Sequence, residues 1–142
     1  MEKMTQDEVR EFLLTGTRTG KLATVRKNGR SHVAPIWFDL DKEQLVFTTW
    51  HESVKAANLQ RDARVTICVD EEAPPFAFVI IEGTATISEN VVERAYWARK
   101  IAARYMGEDQ ADAYGERNSV DGELVIRVTP TKIIAQKNLA GW

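Results

Sequence analysis

The chain has 142 residues, of which 44% are hydrophobic and 28% charged, with 19 basic and 21 acidic side chains. The net charge of −2 argues against broad electrostatic binding to nucleic acid or to an anionic membrane. One cysteine, Cys68, and two histidines exclude an internal disulfide framework and a multi-cysteine zinc site. Because the longest apolar run has six residues and the N-terminus lacks an apolar signal core, we expect one cytoplasmic domain without a membrane partner.

The first half of the chain predicts one helix followed by β-hairpins. Thr5 and Glu8 have the spacing of a capping box, which places a helix within residues 1–18. Alternating residues from 20 onward predict a strand, and Asn28-Gly29 predicts a two-residue type I′ turn into a return strand over residues 32–38. The polar residues 39–44 are interpreted as a turn before a strand over residues 45–50. Residues 19–88 are therefore interpreted as barrel hairpins.

The second half predicts a short helix near residues 53–61, then strands over residues 64–70 and 76–88, with a bulge at Gly83. Asn90 begins a helical insert over residues 90–117. Residues 122–137 hold the final strands, interpreted as two strands separated by Thr129-Pro130-Thr131, and residues 138–142 form a tail. Sequential antiparallel strands with inserted helices indicate one α+β domain over residues 1–142, mainly β and built on a small barrel.

The segment from Thr48 to Asn58 carries the clearest candidate site. Thr48, Thr49, Ser53 and Lys55 gather where a strand ends and a helix begins, and helix N-termini favour anions. These residues predict a phosphate-sized site. On physical grounds alone, a simple helix cap at Ser53 and a solvated surface lysine are the more common arrangement.

A second candidate lies in residues 32–37. A proline inside a strand belongs at an edge or a bulge, so Pro35 leaves a backbone position that can face a ligand. Trp37 either forms a wall for a planar ring or belongs to the core. The sequence contains no motif typical of a catalytic triad or a nucleophile, so no catalytic residue or metal ligand is assigned. Cys68 is interpreted as a small buried hydrophobic residue.

Several ordered motifs resemble the pyridoxamine 5′-phosphate oxidase-like split-barrel flavoproteins. They are Gly20-Lys21-Leu22-Ala23-Thr24-Val25, Asn28-Gly29-Arg30, His32-Val33, Pro35-Ile36-Trp37-Phe38, Leu45-Val46-Phe47-Thr48-Thr49, Lys55-x-x-Asn58-Leu59-x-Arg61-Asp62-x-Arg64-Val65 and Glu82-Gly83-Thr84-Ala85. The later runs Ile101-Ala102-Ala103-Arg104-Tyr105-Met106-Gly107 and Val128-x-Pro130-Thr131-Lys132 are similar to the branch that uses the deazaflavin coenzyme F-420. The resemblance covers about residues 7–137.

The resemblance implies a six-stranded antiparallel split barrel with peripheral helices, forming a homodimer with a cofactor groove at the interface. The strand Val33, Ala34, Pro35, Ile36 and Trp37 is implied to line the ring system. Thr48, Thr49, Ser53 and Lys55 are implied to hold the phosphate, with Asn58 nearby. The activity implied is hydride transfer from reduced coenzyme F-420 to a small unsaturated organic substrate.

Two alternatives remain open. Val54 and Ala57 stand where relatives in the deazaflavin branch carry further basic residues, so FMN is the alternative cofactor, for an oxidase or a reductase. A non-enzymatic split barrel that binds the cofactor or heme is the second alternative. Four tryptophans bear on the groove: we expect Trp37 and Trp50 at its walls, Trp97 in helix packing, and Trp142 either disordered or folded over a partner.

Overall fold

The computed structural model of the chain describes residues 1–141, and these residues form eight strands and four α-helices. The strands are β1 Glu2–Lys3, β2 Gly20–Val25, β3 Ser31–Ile36, β4 Asp39–Asp41, β5 Gln44–Trp50, β6 Arg64–Glu71, β7 Ala77–Ser88 and β8 Glu123–Lys137. The helices are α1 Gln6–Leu14, α2 Val54–Arg61, α3 Val91–Met106 and α4 Ala111–Arg117, and a 3₁₀ turn, Glu108–Gln110, precedes α4.

All the strands belong to one antiparallel sheet, in the order β3-β2-β6-β7-β8-β5-β4, and β1 pairs with the end of β8. The two end strands, β3 and β4, follow each other along the chain but do not pair, which leaves the barrel split at that corner. The expected fold class, an antiparallel split barrel with peripheral helices, is confirmed. The expected number of six strands is wrong, because β1 and β4 were not foreseen.

The hydrophobic core is divided between the two faces of the sheet. The larger cluster fills the barrel, where Phe38 and Phe47 are fully buried, and α1 and α2 contribute Leu13 and Leu59 to it. A smaller cluster lies between α3 and the opposite face of β5 and β8, with Trp97 only 4% exposed. The expected packing role of Trp97 is confirmed within the chain. Trp142 lies outside the described residues.

The helix boundaries follow from side-chain caps. Thr5 and Glu8 form the expected capping box at the start of α1, in which each side chain bonds the other residue's backbone N–H. Asn90 caps α3 by accepting a hydrogen bond from the N–H of Glu93 at 2.9 Å. Gly107, with φ +91°, follows the last residue of α3, as glycine commonly does at helix ends.

Three local expectations need correction. The β2–β3 connection is not a type I′ turn, because Gly29 has φ +86° whereas Asn28 keeps a negative φ. The N–H of Gly29 bonds Arg26 O at 2.9 Å, as in a three-residue loop that ends in a left-handed glycine. The polar residues 39–44 contain β4, which pairs with β5. The two final strands are one continuous strand, β8, since a bulge with one extra residue, Thr131, lets pairing with β7 continue on both sides of it.

The bulge at Gly83 is confirmed. The register between β7 and β8 shifts between Glu82 and Gly83, so that Glu82 pairs with Lys132 and Gly83 with Pro130. A Cβ atom placed on Gly83 would lie 2.5 Å from Thr129 O, closer than any real side chain permits. The absence of a side chain therefore lets the two strands approach each other where a ladder donor is missing.

Candidate functional site

The end of β5 and the start of α2 are joined by a chain of hydroxyl hydrogen bonds. Thr49 Oγ1 and Ser53 Oγ lie 2.9 Å apart, and Ser53 Oγ accepts a hydrogen bond from the N–H of Ala56 at 3.1 Å. Ser53 also donates its own N–H to Trp50 O at 2.9 Å. Ser53 is therefore the N-cap of α2, and the cap fixes the helix N-terminus against the end of β5.

Lys55 lies in the first turn of α2 and is half-buried. Among residues 1–141 it has no ion-pair partner within 4.0 Å. The backbone N–H groups of Val54 and Lys55 also have no acceptor in this part of the chain, because the cap satisfies Ala56 and Ala57. The first turn of α2 thus holds one cation without an ion-pair partner and two backbone donors without acceptors, an arrangement that suits an anion.

Thr48 and Thr49 lie on opposite faces of β5. Thr49 is buried on the barrel side with Phe47, whereas Thr48 is half-buried on the side that α3 covers, with Val46. Successive strand residues must alternate in this way, so the two hydroxyls do not converge on one point. Of the two, Thr49 is the one in contact with Ser53.

The strand β3 is an edge strand with two outward side chains. Val33 is 61% exposed and Pro35 is exposed, while Ile36 is buried in the barrel and Ala34 is half-buried. Pro35 has no backbone N–H, but β3 is an end strand with one unpaired edge, where a proline is tolerated. The β3 edge therefore offers an apolar surface with unpaired backbone groups beside it.

Trp37 follows the last residue of β3 and is half-buried. Its indole packs against the smaller core cluster and stacks on Tyr105. Trp50 is 41% exposed, and its ring meets the imidazole of His51 edge-on, with centroids 4.5 Å apart. Both indoles thus retain some exposed surface near the candidate site, and their contact with a ligand remains a prediction.

Asn58 is buried and its amide is engaged within the protein. Its Nδ2 donates to Thr24 Oγ1 at 3.0 Å, and its Oδ1 accepts from Arg61 Nη2 at 3.0 Å. Arg61 also donates to Val25 O. Asn58 therefore connects α2 to β2 and positions the helix that carries Lys55.

Three charged residues at or near the start of β8, namely Glu123, Arg94 and Asp121, were not singled out from the sequence. Burial raises the pKa of the Glu123 carboxyl, against the opposing attraction of Lys55, Arg94 and His51. Arg94 is only 7% exposed, and its Nη2 donates to Asp121 Oδ1 at 3.2 Å. The sequence does place Arg94 on the apolar side of a helix, three residues before Trp97 and four before Ala98, and this pattern could have indicated its burial.

Cys68 is half-buried on the sheet face opposite the barrel, rather than in the core as expected, since β6 directs Val65, Ile67 and Val69 inward. Burial raises the pKa of its thiol, with a further contribution from Asp70. A protonated thiol is a poor nucleophile. Residues 1–141 contain no group of three or more histidine, cysteine or acidic side chains placed to hold a metal ion.

A cavity of about 920 Å³ opens elsewhere, between α1, the β4–β5 turn and the second half of β8. None of the ten residues predicted to bind the cofactor lines it. The cofactor groove is expected between two chains, and one chain alone would show only half of it. The size of a cavity in a single chain therefore does not locate that groove. Within residues 1–141, no helix is both long and apolar enough to cross a membrane.

Residues 5–137 match the family model described as pyridoxamine 5′-phosphate oxidase. The chain belongs to the pyridoxamine 5′-phosphate oxidase family. A solved structure of an F-420 reductase is 28% identical, with a TM-score of 0.69, covering 87% of this chain and 94% of that one. This family member therefore shares its fold with an F-420 reductase at a low level of sequence identity.

Two more distant solved structures share the fold alone. A conserved hypothetical protein from Mycobacterium tuberculosis is 23% identical, with a TM-score of 0.86, covering 96% of this chain and 87% of that one. The heme storage protein from Vibrio cholerae is 21% identical, with a TM-score of 0.72, covering 92% of this chain and 94% of that one. Solved structures with this fold include an F-420 reductase and a heme storage protein, so the fold alone does not define the function.

Proposed function

We propose that this protein is an oxidoreductase that binds the deazaflavin coenzyme F-420 and transfers a hydride to a small unsaturated organic substrate. The observation that carries the proposal is the 28% identity to an F-420 reductase over 87% of the chain. Family membership supports a flavin-type cofactor in general. The choice of the deazaflavin rests on that relative and on the sequence motifs in α3 and β8.

The residues at the start of α2 fit the phosphate group that such cofactors carry. Lys55 supplies a cation that has no ion-pair partner within residues 1–141, and the N–H groups of Val54 and Lys55 supply donors. Ser53 holds the helix start in place through its contact with Thr49. In this proposal Ser53, Thr49 and Asn58 position the phosphate site, and Lys55 binds the phosphate.

The β3 edge fits a planar ring system. Val33 and Pro35 present apolar surface outward, and the unpaired edge of the strand offers backbone N–H and C=O groups to ring heteroatoms. When bound, coenzyme F-420 supplies the hydride chemistry, so the chain needs no nucleophile of its own. The role of Val33, Pro35 and the adjoining backbone is to orient the ring and exclude water from one side of it.

We further propose a homodimer in which the partner covers the outer sheet face. Register pairs place Val33, Ala23, Cys68, Ile80 and Ile134 on that face, which none of the four helices covers as α3 covers β5 and β8. The Lys21–Asp70 ion pair on this face, at 2.9 Å, is satisfied within the chain. An exposed apolar sheet face of this kind is typical of interaction surfaces.

FMN is the second candidate cofactor. Val54 and Ala57 are apolar, so Lys55 is the cation that α2 offers in its first turn. A single phosphate monoester needs fewer cations than a cofactor with additional anionic groups. This favours FMN as the alternative, with oxidase or reductase activity on the same β3 surface.

The cofactor choice is tested by titrating the purified protein with coenzyme F-420 and with FMN, followed by a substrate panel of enones with the tighter ligand. We expect saturable binding of coenzyme F-420 and turnover of at least one enone. Tight FMN binding with no affinity for coenzyme F-420 would overturn the leading assignment. Binding of either cofactor without turnover would instead favour a storage module.

The phosphate site is tested with Lys55→Ala. We expect about a tenfold weaker cofactor affinity, because one charge-assisted contact is lost while the cap at Ser53 stays intact. Lys42→Ala, an exposed lysine on the β4–β5 turn, is the matched control. Unchanged affinity in Lys55→Ala would remove α2 from the cofactor site.

The proposed dimer is tested with Val33→Asp, measured by analytical ultracentrifugation. Placing a charge on the apolar face should convert a dimer into a monomer without loss of the fold. Val120→Asp, on an exposed valine before β8, is the control and should leave the assembly unchanged. A monomeric unmodified protein would contradict the proposal.

A further inference from the structure

Arg94 is a buried charged residue that the proposed function does not use. It lies in the first turns of α3, with 7% of its surface exposed, and the buried Nε has no hydrogen-bond partner within residues 1–141. A guanidinium has five N–H donors, so a buried one with a donor unused carries a desolvation cost. An additional hydrogen-bond acceptor near Arg94 Nε would therefore offset this cost.

The only ion pair that Arg94 forms in the described part of the chain is an exposed one. Its Nη2 lies 3.2 Å from Asp121 Oδ1, and the Asp121 side chain is 101% exposed. The contact is through a single nitrogen rather than the two-pronged geometry in which guanidinium groups bind anions most strongly. A solvent-exposed carboxylate can move aside at little cost in packing.

The segment that follows Asp121 connects Arg94 to the Lys55 region. Gly122 O accepts a hydrogen bond from His51 N at 2.8 Å and lies 3.2 Å from His51 Nδ1. Glu123 pairs in register with Trp50, whose carbonyl accepts the N–H of Ser53. Glu123, at the start of β8, thus lies within electrostatic range of Lys55 on α2 and of Arg94 on α3.

Charges in this cluster come from every element that borders it. Lys55, Arg94 and His51 each attract the half-buried Glu123 carboxylate. His51 also lies 3.4 Å from Glu52, through its Nε2. In the free protein Arg94 is paired with the exposed Asp121, and Lys55 has no ion-pair partner among residues 1–141.

We propose that Arg94 is a second anion-binding residue of the Lys55 site, and that Asp121 holds the place that a phosphate group takes. The inference rests on the proposed function, because it extends the phosphate site at α2. It assigns the ligand class as a phosphate ester whose oxygens replace the Asp121 carboxylate. A phosphate can accept from two guanidinium nitrogens, which the present contact does not achieve.

The decisive variant is Asp121→Asn, since it removes a competing charge at a fully exposed position and leaves Arg94 unaltered. Affinities for FMN and riboflavin are compared, because these two ligands differ only in the phosphate. We expect Asp121→Asn to tighten FMN by about fivefold and to leave riboflavin unchanged. Asp109→Asn, an exposed aspartate before α4 with the same change in net charge, should alter neither.

A direct readout uses the Nε–H resonance of Arg94 in a ¹H–¹⁵N spectrum, assigned by its loss in Arg94→Lys. Addition of inorganic phosphate should shift this resonance in the unmodified protein, and by more in Asp121→Asn. The spectrum reports on the guanidinium without requiring a flavin. The assignment is accepted only if the other resonances of Arg94→Lys keep their positions, which shows that the variant is folded.

The outcomes separate this inference from the proposed function. If Lys55→Ala weakens FMN but Asp121→Asn leaves FMN affinity unchanged, Arg94 is structural and the inference is wrong. If Lys55→Ala has no effect, the phosphate site itself is misplaced. A tighter FMN affinity in Asp121→Asn, with riboflavin and Asp109→Asn unchanged and the Arg94 resonance shifted, supports Arg94 as a phosphate-binding residue.

Discussion

The indole of Trp37 stacks on the phenol ring of Tyr105, with ring centroids 5.1 Å apart and planes inclined by 3°. The same phenol donates its O–H to Arg18 O at 2.8 Å and accepts the N–H of Phe38 at 3.3 Å. Tyr105 therefore fixes the corner where the chain leaves β3 for β4. Because β3 is the strand expected to line a planar ring, α3 sets the shape of one wall of the proposed groove.

Tyr105→Phe should preserve the stack but leave the N–H of Phe38 and the carbonyl of Arg18 without this partner. We expect a loss of about 1–3 kcal/mol in the free energy of unfolding, the usual cost of unsatisfied buried polar groups. Urea denaturation measures it. Tyr96→Phe, on an exposed tyrosine of the same helix, is the control, and an equal loss in both variants would contradict the role of the Tyr105 hydroxyl.

Asn58→Ala should destabilise the protein rather than act first on cofactor binding. The change removes a buried hydrogen bond to Thr24 and the acceptor of Arg61, so we expect a loss of about 1–3 kcal/mol on unfolding. Gln60→Ala, at an exposed position of α2, should change little. A variant of normal stability that fails to bind cofactor would instead make Asn58 a direct ligand residue.

Glu123→Gln tests the electrostatics beside Lys55. Burial raises the pKa of Glu123 in the folded state above the ordinary value of 4.5, so folding favours the protonated form. At pH values below 4.5 the protonated Glu123 makes its full contribution to the free energy of unfolding. That contribution is lost as the pH rises through the higher pKa of the folded state. The variant should therefore gain stability relative to the unmodified protein as the pH increases.

Thermal unfolding across a pH series measures this difference. Glu89→Gln, an exposed residue before α3, provides the control and should show no such trend. If the stability difference for Glu123→Gln were constant with pH, the carboxyl would have an unshifted pKa. A trend of the opposite sign would mean that the surrounding cations outweigh burial.

Gly83→Ala tests the bulge. A methyl group there would meet Thr129 O at 2.5 Å and the side chain of Val128 at 3.0 Å, so β7 or β8 must move. We expect a loss of about 1–3 kcal/mol, as for other overpacked sites. Gly20→Ala meets only side chains, the closest at 3.1 Å, and should cost less. Equal costs would indicate that the backbone at Gly83 adapts freely.

Local signals in the sequence predicted the helices well. Thr5 and Asn90 cap the helices that the pattern assigned to them, and of Ser53 and Glu52, the two candidates for the start of α2, Ser53 is the cap. The Gly83 bulge was also predictable, since a glycine inside a long β run commonly marks a bulge or a bend. The Asn28-Gly29 signal located the hairpin but not its turn type, which the flanking strand register decides.

The sequence was least informative where residues distant along the chain meet. The short strands β1 and β4 exist because they pair with β8 and β5, and neither has enough residues for a periodic pattern. Likewise, Pro130 indicates a break between strands when viewed locally. In the folded chain Pro130 pairs opposite Gly83, and one extra β8 residue, Thr131, lets the ladder with β7 continue past the proline.

For the candidate site, the sequence alone determined the residue types that can bind a phosphate and their place between a strand and a helix. The family motifs added the order in which they occur. Only the tertiary structure brought Lys55 and Arg94 within electrostatic range of Glu123. Only it placed Thr48 and Thr49 on opposite faces and used Asn58 as an internal support. The physical reason is that burial and charge depend on packing between α2, α3 and β8, which no local spacing encodes.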